Sequence, residues 1–205
     1  MQLYLASTSP ARKNTLMQVG LSPMILEHSV DEEGLVAEAT HNGPVPPPVI
    51  VQLLARAKAE DACQPGVTGL VVGGDSVFAV DGEVFGKPHT PEKAKKRWLR
   101  QRGKTGVLYS GHWVADVRNG EILAGVGGHT EASVTFRGDL TDDEIDAYIA
   151  TGEPLKVAGA FTIDARGAAF IDRINGDPYT VVGISVAKLR DLIRQLGYSF
   201  TDLWE

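Results

Sequence analysis

The chain is poor in cysteine. Cys63 is the only one among 205 residues, so no intrachain disulfide can form. The fold must rest on a packed core, and the chain reads as a cytoplasmic protein kept in a reducing compartment. Long apolar runs are missing too. None approaches the ~20 residues a membrane span needs, and the opening Met-Gln-Leu-Tyr-Leu lacks the basic start and apolar stretch of a secretory signal. Basic charge is in deficit: 20 Lys and Arg stand against 26 Asp and Glu, for a net charge of −6. A nucleic-acid polymer is therefore excluded as partner, because backbone binders carry a basic surface. Aromatic residues make up only 7% and do not alternate with cations, so no stacking platform for single strands is built. No Walker-type Gly-x-x-x-x-Gly-Lys-Ser/Thr occurs, and His112 has no second His or Cys at ligand spacing. Internal repeats are absent.

What is present is enough to fold. A hydrophobic content of 43% over 205 residues sustains a core in one domain or two closely joined lobes. Runs rich in Val, Ile, Phe and Tyr predict strands over Leu3–Ala6, Met24–Ser29, Leu70–Val80, Val107–Val117, Glu131–Phe136 and Ala160–Ile171. Asp81-Gly82 and Asn119-Gly120 are hairpin turns. Helices are predicted over Pro10–Val19, Val49–Ala62 (with an apolar stripe Val49, Leu53, Ala57), Glu92–Arg102, Glu144–Ala150 and Ser185–Leu196. Thr141 and Glu144 have the spacing of a capping box, and Gly197 stops the last helix. Helices alternate with strands, some of them hairpins, which points to an α/β fold with a mixed sheet. Gly125-Val-Gly127-Gly128 opens no helix and reads as a turn.

Four places invite chemistry. Leu3–Ala6 runs into Ser7-Thr-Ser-Pro10, where Ser9 can cap a helix and Pro10 fits its first turn. The first-turn N–H groups, with Arg12 beside them, form either an ordinary capped turn or an anion site suited to phosphate. Val30-Asp31-Glu32-Glu33 puts carboxylates at a strand end, as a solvated acidic loop or as a site. Lys58 lies on a helix, where a lone lysine is ordinarily solvated. Gly73-Gly74-Asp75-Ser76 interrupts an apolar run, and an acid buried there needs a metal or a lysine as partner. Gly86-Lys87-Pro88 adds a lysine in a tight turn. Carboxylates with lysines suit polyphosphate chemistry: the acids hold a hard divalent cation and the lysines neutralise phosphate charge. Cys63, beside the helix Val49–Ala62, reads as a buried, inert thiol.

The order of these motifs is more specific than any one of them. Ala6-Ser-Thr-Ser-Pro-Ala-Arg12, Val30-Asp-Glu32, Ala55-Arg-Ala-Lys58-Ala, Gly74-Asp75-Ser76, Gly86-Lys87-Pro88, Thr151-Gly-Glu-Pro154 and Ala158-Gly-Ala-Phe-Thr-Ile163 follow one another through the chain. In that order and spacing they closely resemble the Maf family of nucleoside triphosphate pyrophosphatases, from Leu3 to Val181-Val-Gly-Ile-Ser185 and the final helix. The resemblance implies a single Maf-like domain over residues 1–205, with a mixed, elongated sheet in two lobes around a central cleft, similar to inosine-triphosphate pyrophosphatases. It implies hydrolysis of a nucleoside triphosphate to the monophosphate and pyrophosphate with Mg²⁺ or Mn²⁺, clearing non-standard nucleotides, in a cytoplasmic protein that is often a homodimer. Asp75 matches the general base, Lys58 and Lys87 the phosphate-contacting lysines, Ser7 the serine of the first strand–helix turn, and Glu32, with Asp75, the acidic positions near the metal. Arg12, Ser76 and Asp164 fall at substrate-binding positions.

This chain departs from the pyrimidine-triphosphate branch of that family. Ala11 replaces the first arginine of Ser-Pro-Arg-Arg, Ser76 stands for Thr, and Ile163-Asp164-Ala165 stands where that branch has Ile-Gln-Gly. The last change turns an amide that can read a base edge into a carboxylate, which only accepts. The Lys of its Lys-Ala-Gly-Ala is Val157, with Lys156 one place earlier. The set Lys58, Asp75 and Lys87 is intact. The other readings are a nucleotide-binding regulator of cell division with little hydrolysis, and a hydrolase of non-nucleoside phosphate anhydrides.

Overall fold

A computed structural model describes Met1–Trp204. Strand β1 (Leu3–Ala6) leads into helix α1 (Pro10–Gln18), and short β2 (Met24–Ile25) is followed by α2 (Glu32–Thr40) and α3 (Pro47–Asp61). The long β3 (Gly69–Val80) turns at Asp81-Gly82 into β4 (Glu83–Phe85), then α4 (Pro91–Gln101) follows. A second hairpin joins β5 (Thr105–Arg118) to β6 (Glu121–Phe136) through Asn119-Gly120. Then come α5 (Asp142–Ala150), three 3-10 turns, β7 (Ile171–Gly176), α6 (Pro178–Val182) and α7 (Val186–Gln195).

The seven strands form one mixed sheet in the order β2-β1-β3-β5-β6-β7, with β4 on β3. β1 pairs in parallel with β2 and with β3, whereas β4 on β3 and β7 on β6 are antiparallel. The mixed α/β class expected from the sequence is what forms. By contacts the chain divides into two compact units: residues 1–75, 110–130 and 183–205 in the first, and residues 76–109 and 131–182 in the second. No helix among the described residues is long and apolar enough to cross a membrane.

Each unit has its own core. In the first, alternation along β3 sends Leu70 and Val72 to one face, with Leu5, Leu16, Leu189 and Ile193. Val71 goes to the other, with Ala6, Ala59 and Ala62. In the second, Phe78, Trp98, Phe136, Tyr148, Phe161 and Phe170 meet edge to face, with ring centroids 5.0–5.7 Å apart. Such pairs each add about 0.5–1.5 kcal/mol beyond the area they bury.

Local chemistry accounts for the helix starts. Ser9, Thr90, Thr141 and Ser185 each accept a backbone N–H of the first turn, and Thr141–Glu144 closes the full capping box. Other expectations need correction. Ala160–Ile171 is not a strand: 3-10 turns fill Ala158–Ala160 and Arg166–Phe170, Gly159 and Ala160 take φ of 71° and 61°, and the strand begins only at Ile171. Gly125–Gly128 is not a turn but part of β6, its missing side chains leaving room for the Trp113 ring over Gly125 and Gly127. The acidic stretch after β2 is the start of α2, with Asp31 as its cap accepting from Gly34 N. The buried face of α3 is Ile50, Val51, Leu54, Ala55, Lys58 and Ala59 rather than the stripe Val49, Leu53, Ala57.

Candidate active site

The first unit gathers five of the residues singled out in the sequence: Ser7, Arg12, Glu32, Lys58 and Asp75. Their meeting follows from two glycines of β3. A Cβ on Gly73 would sit 2.0 Å from Ala55 O and 2.9 Å from Ala59 Cβ, so only glycine lets α3 lie this close to the strand. Lys58 falls between those two alanines on the same helix face. Asp75 falls two residues beyond Gly73 on the same strand face. Gly74 points the other way, and a Cβ there would meet Arg12 Nε at 3.1 Å.

Lys58 is therefore not the solvated helix lysine its sequence context suggests; it is 5% exposed. A buried ammonium demands partners, and it has two. Its Nζ donates to Asp75 Oδ1 at 2.7 Å and lies 2.9 Å from Glu32 Oε2. Asp75 is itself buried, while the Glu32 side chain, in the first turn of α2, is half-exposed. Two carboxylates from different elements thus converge on one ammonium.

Arg12 lies inward. Its Nε donates to Gly183 O at 2.8 Å and its Nη1 to Ser7 Oγ at 3.1 Å. Burial lowers its pKa, opposed by the charges of Asp75 and Glu32. Ser7 Oγ also accepts from Ser9 N at 3.2 Å, which leaves the Ser7 hydroxyl hydrogen to donate elsewhere.

Asp75 and Glu32 offer only oxygen, the donor type of a hard divalent cation. Mg²⁺ is commonly held by one or two carboxylates, with substrate phosphates and water completing the shell. Among the described residues no cage of three or more His, Cys, Asp or Glu side chains forms. The pair Glu32 and Asp75 fits a cation of that phosphate-sharing kind.

Lys87, Ser76 and Asp164 belong to the second unit. Lys87 is exposed in the turn after β4. Arg97 Nη1 donates to Gly86 O at 2.5 Å, and His89 N donates to Leu155 O, so the turn is tied on both sides of the lysine. Ser76 is half-buried on β3 and Asp164 is exposed in a bend.

Sequence reading missed three residues that shape these regions. Glu153 accepts from Tyr148 OH, Thr162 Oγ1, Gly167 N and Arg166 N. Burial alone would raise its pKa, but those hydrogen bonds together hold it below the usual value. Thr151-Gly-Glu-Pro154 was a visible motif, yet nothing local shows which groups fold onto its glutamate. His28 stands near the cluster, and its pKa is lowered by burial and then by the charge of Lys58. Asp61 binds Ser29. Cys63 is half-buried rather than buried; its Sγ donates to Ala59 O, and burial, then Glu60, push the thiol up to about 11.

Known proteins resemble this chain over nearly its whole length. A nucleoside triphosphate pyrophosphatase of Leifsonia xyli subsp. xyli is 55% identical over 210 residues, covering 100% of this chain and 97% of that protein. Proteins of the same name from Streptomyces coelicolor and Saccharopolyspora erythraea are 46% and 44% identical, over 99% and 100% of this chain and 94% and 97% of their own lengths. The family model described as Maf-like protein matches residues 2–196, the span that carries every motif discussed above, and the chain belongs to that family.

Proposed function

We propose that this chain is a divalent-metal-dependent nucleoside triphosphate pyrophosphatase, which hydrolyses a nucleoside triphosphate to the monophosphate and pyrophosphate. One observation carries the reading: a buried lysine holds Asp75 and Glu32 together, at 2.7 and 2.9 Å. Three relatives covering at least 99% of the chain bear the name of that activity.

In the reaction a water oxygen bonds to one phosphorus of the α–β anhydride, that phosphorus's bond to the bridging oxygen breaks, the bridging oxygen departs with the other phosphorus, and monophosphate and pyrophosphate separate. Asp75 takes the proton of that water, in the role of general base. Lys58 fixes the Asp75 carboxylate in place and supplies positive charge where phosphate charge builds. Asp75 and Glu32 would hold Mg²⁺ or Mn²⁺, and such an ion supplies charge neutralisation on the phosphate oxygens. Lys87 is assigned a further phosphate contact. Ser7, Arg12, Ser76 and Asp164 are assigned to substrate binding, Arg12 by fixing the Ser7 hydroxyl. The carboxylate of Asp164 accepts hydrogen bonds only, so it favours a base edge that donates. We assign the enzyme to the cytoplasm, as a homodimer that clears non-standard nucleotides.

Products separate this reading from its rivals. Incubating the purified chain with a panel of standard and modified nucleoside triphosphates and Mg²⁺ should release monophosphate and pyrophosphate in equal amounts. Diphosphate plus phosphate would indicate a different phosphatase, and binding without turnover a regulator.

A further inference from the structure

Glu32 owes its place to a stretch of chain that has no strand or helix of its own. Leu26 N donates to Leu5 O at one end of that stretch, and Leu35 N donates to Asp31 O at the other, both at 3.0 Å. Between these anchors Ser29 N donates to Asp61 Oδ2 at 2.7 Å, and Ser29 Oγ donates to the same oxygen at 3.2 Å. Asp61 stands three residues after Lys58 on α3, so both side chains leave the same side of the helix. Helix α3 thus grips the segment twice, through Asp61 at Ser29 and through Lys58 at Glu32.

We infer that Asp61 is a positioning residue: by holding Ser29 it sets the Glu32 carboxylate opposite Asp75, and so sets the affinity of the pair for a divalent cation. The inference rests on the metal reading proposed above. It assigns Asp61 the work of a hydrogen-bond acceptor acting through Ser29, not that of one more negative charge near a cation. The two roles separate cleanly. Asparagine at position 61 keeps a carbonyl oxygen for Ser29 N and loses the charge, whereas alanine loses both.

The experiment is a Mn²⁺ titration of the full chain without nucleotide, followed by electron paramagnetic resonance of the free ion, with thermal unfolding of each variant. Asp61→Ala should raise the Mn²⁺ dissociation constant by about tenfold or more, the size of loss seen when an outer partner of a metal ligand is removed. Asp61→Asn should bind close to wild type, and Glu32→Gln, the reference for a lost ligand, should bind weakly. If Asp61→Asn weakens binding as much as Asp61→Ala, charge is the cause and the positioning role is wrong. If Glu32→Gln weakens binding while Asp61→Ala does not, this inference alone fails. A wild-type chain that binds no Mn²⁺, or a Glu32→Gln variant that binds as well as wild type, overturns the metal reading and this inference with it.

Discussion

Replacing Gly73 with alanine tests the contact that assembles the site. The added Cβ would lie 2.0 Å from Ala55 O, 2.9 Å from Ala59 Cβ and 3.0 Å from Ala59 N. Ordinary non-bonded separations start at about 3.5 Å, and the atoms in the way include helix backbone that cannot rotate aside. Helix α3 must therefore retreat by more than about 1 Å. Overpacking of this kind costs about 1–3 kcal/mol. The same retreat draws Lys58 Nζ away from Asp75 Oδ1, now 2.7 Å distant, beyond the about 2.7–2.9 Å of a charge-assisted bond. Gly73→Ala should accordingly lose both stability, read by urea unfolding, and pyrophosphatase activity, read as kcat/KM on the best triphosphate. Gly138→Ala is the control, because a Cβ there meets only Gly103 Cα at 3.6 Å. Wild-type stability and turnover in Gly73→Ala would refute the seating of α3 on β3, and with it the account of why Lys58 and Asp75 meet.

Two further perturbations probe the second unit. Gln101 is 1% exposed, and neither its Oε1 nor its Nε2 finds a partner among the described residues. An unsatisfied buried polar group costs about 1–3 kcal/mol, so Gln101→Leu should raise Tm, by about 2–4 °C for each kcal/mol recovered. A lower Tm would show that the amide is paired. Glu153 has a folded-state pKa held below its ordinary value of 4.5. Its contribution to stability is therefore complete above that value and is lost as pH falls through the lowered folded-state pKa. Glu153→Gln would turn an amide donor toward groups that donate. The variant should be less stable than wild type at pH 7, with the gap closing below about pH 4.5. A gap that stays constant with pH would remove the ionised carboxylate from the account.

The elements most legible in the sequence are those decided within a few residues. Ser9, Thr90, Thr141 and Ser185 cap the helices that follow them, and Asp81-Gly82 and Asn119-Gly120 turn hairpins with positive φ at both positions. The misread segments are those decided at a distance. Ala160–Ile171 has the composition of a strand, but the Glu153 carboxylate draws Thr162, Arg166 and Gly167 onto itself and coils the segment. The Gly125–Gly128 run has turn composition, but Trp113 lies against it and keeps it in the sheet. In the site the residue types pointed to polyphosphate chemistry, yet Lys58 and Asp75 are 17 residues apart in sequence. Only the approach permitted at Gly73 shows that they form a pair. The Asp31 cap was readable in principle. The acids after it masked a helix start, although acids favour the first turn.

The most direct test of the central claim is the turnover of Asp75→Asn beside wild type, with monophosphate and pyrophosphate resolved and thermal unfolding recorded for both. Loss of the base should lower kcat by about 10²–10⁴-fold, while the unfolding transition stays cooperative and Tm falls by less than in a core truncation. A variant that still releases monophosphate and pyrophosphate at the wild-type rate would contradict the assignment of Asp75, and with it the site built around Lys58.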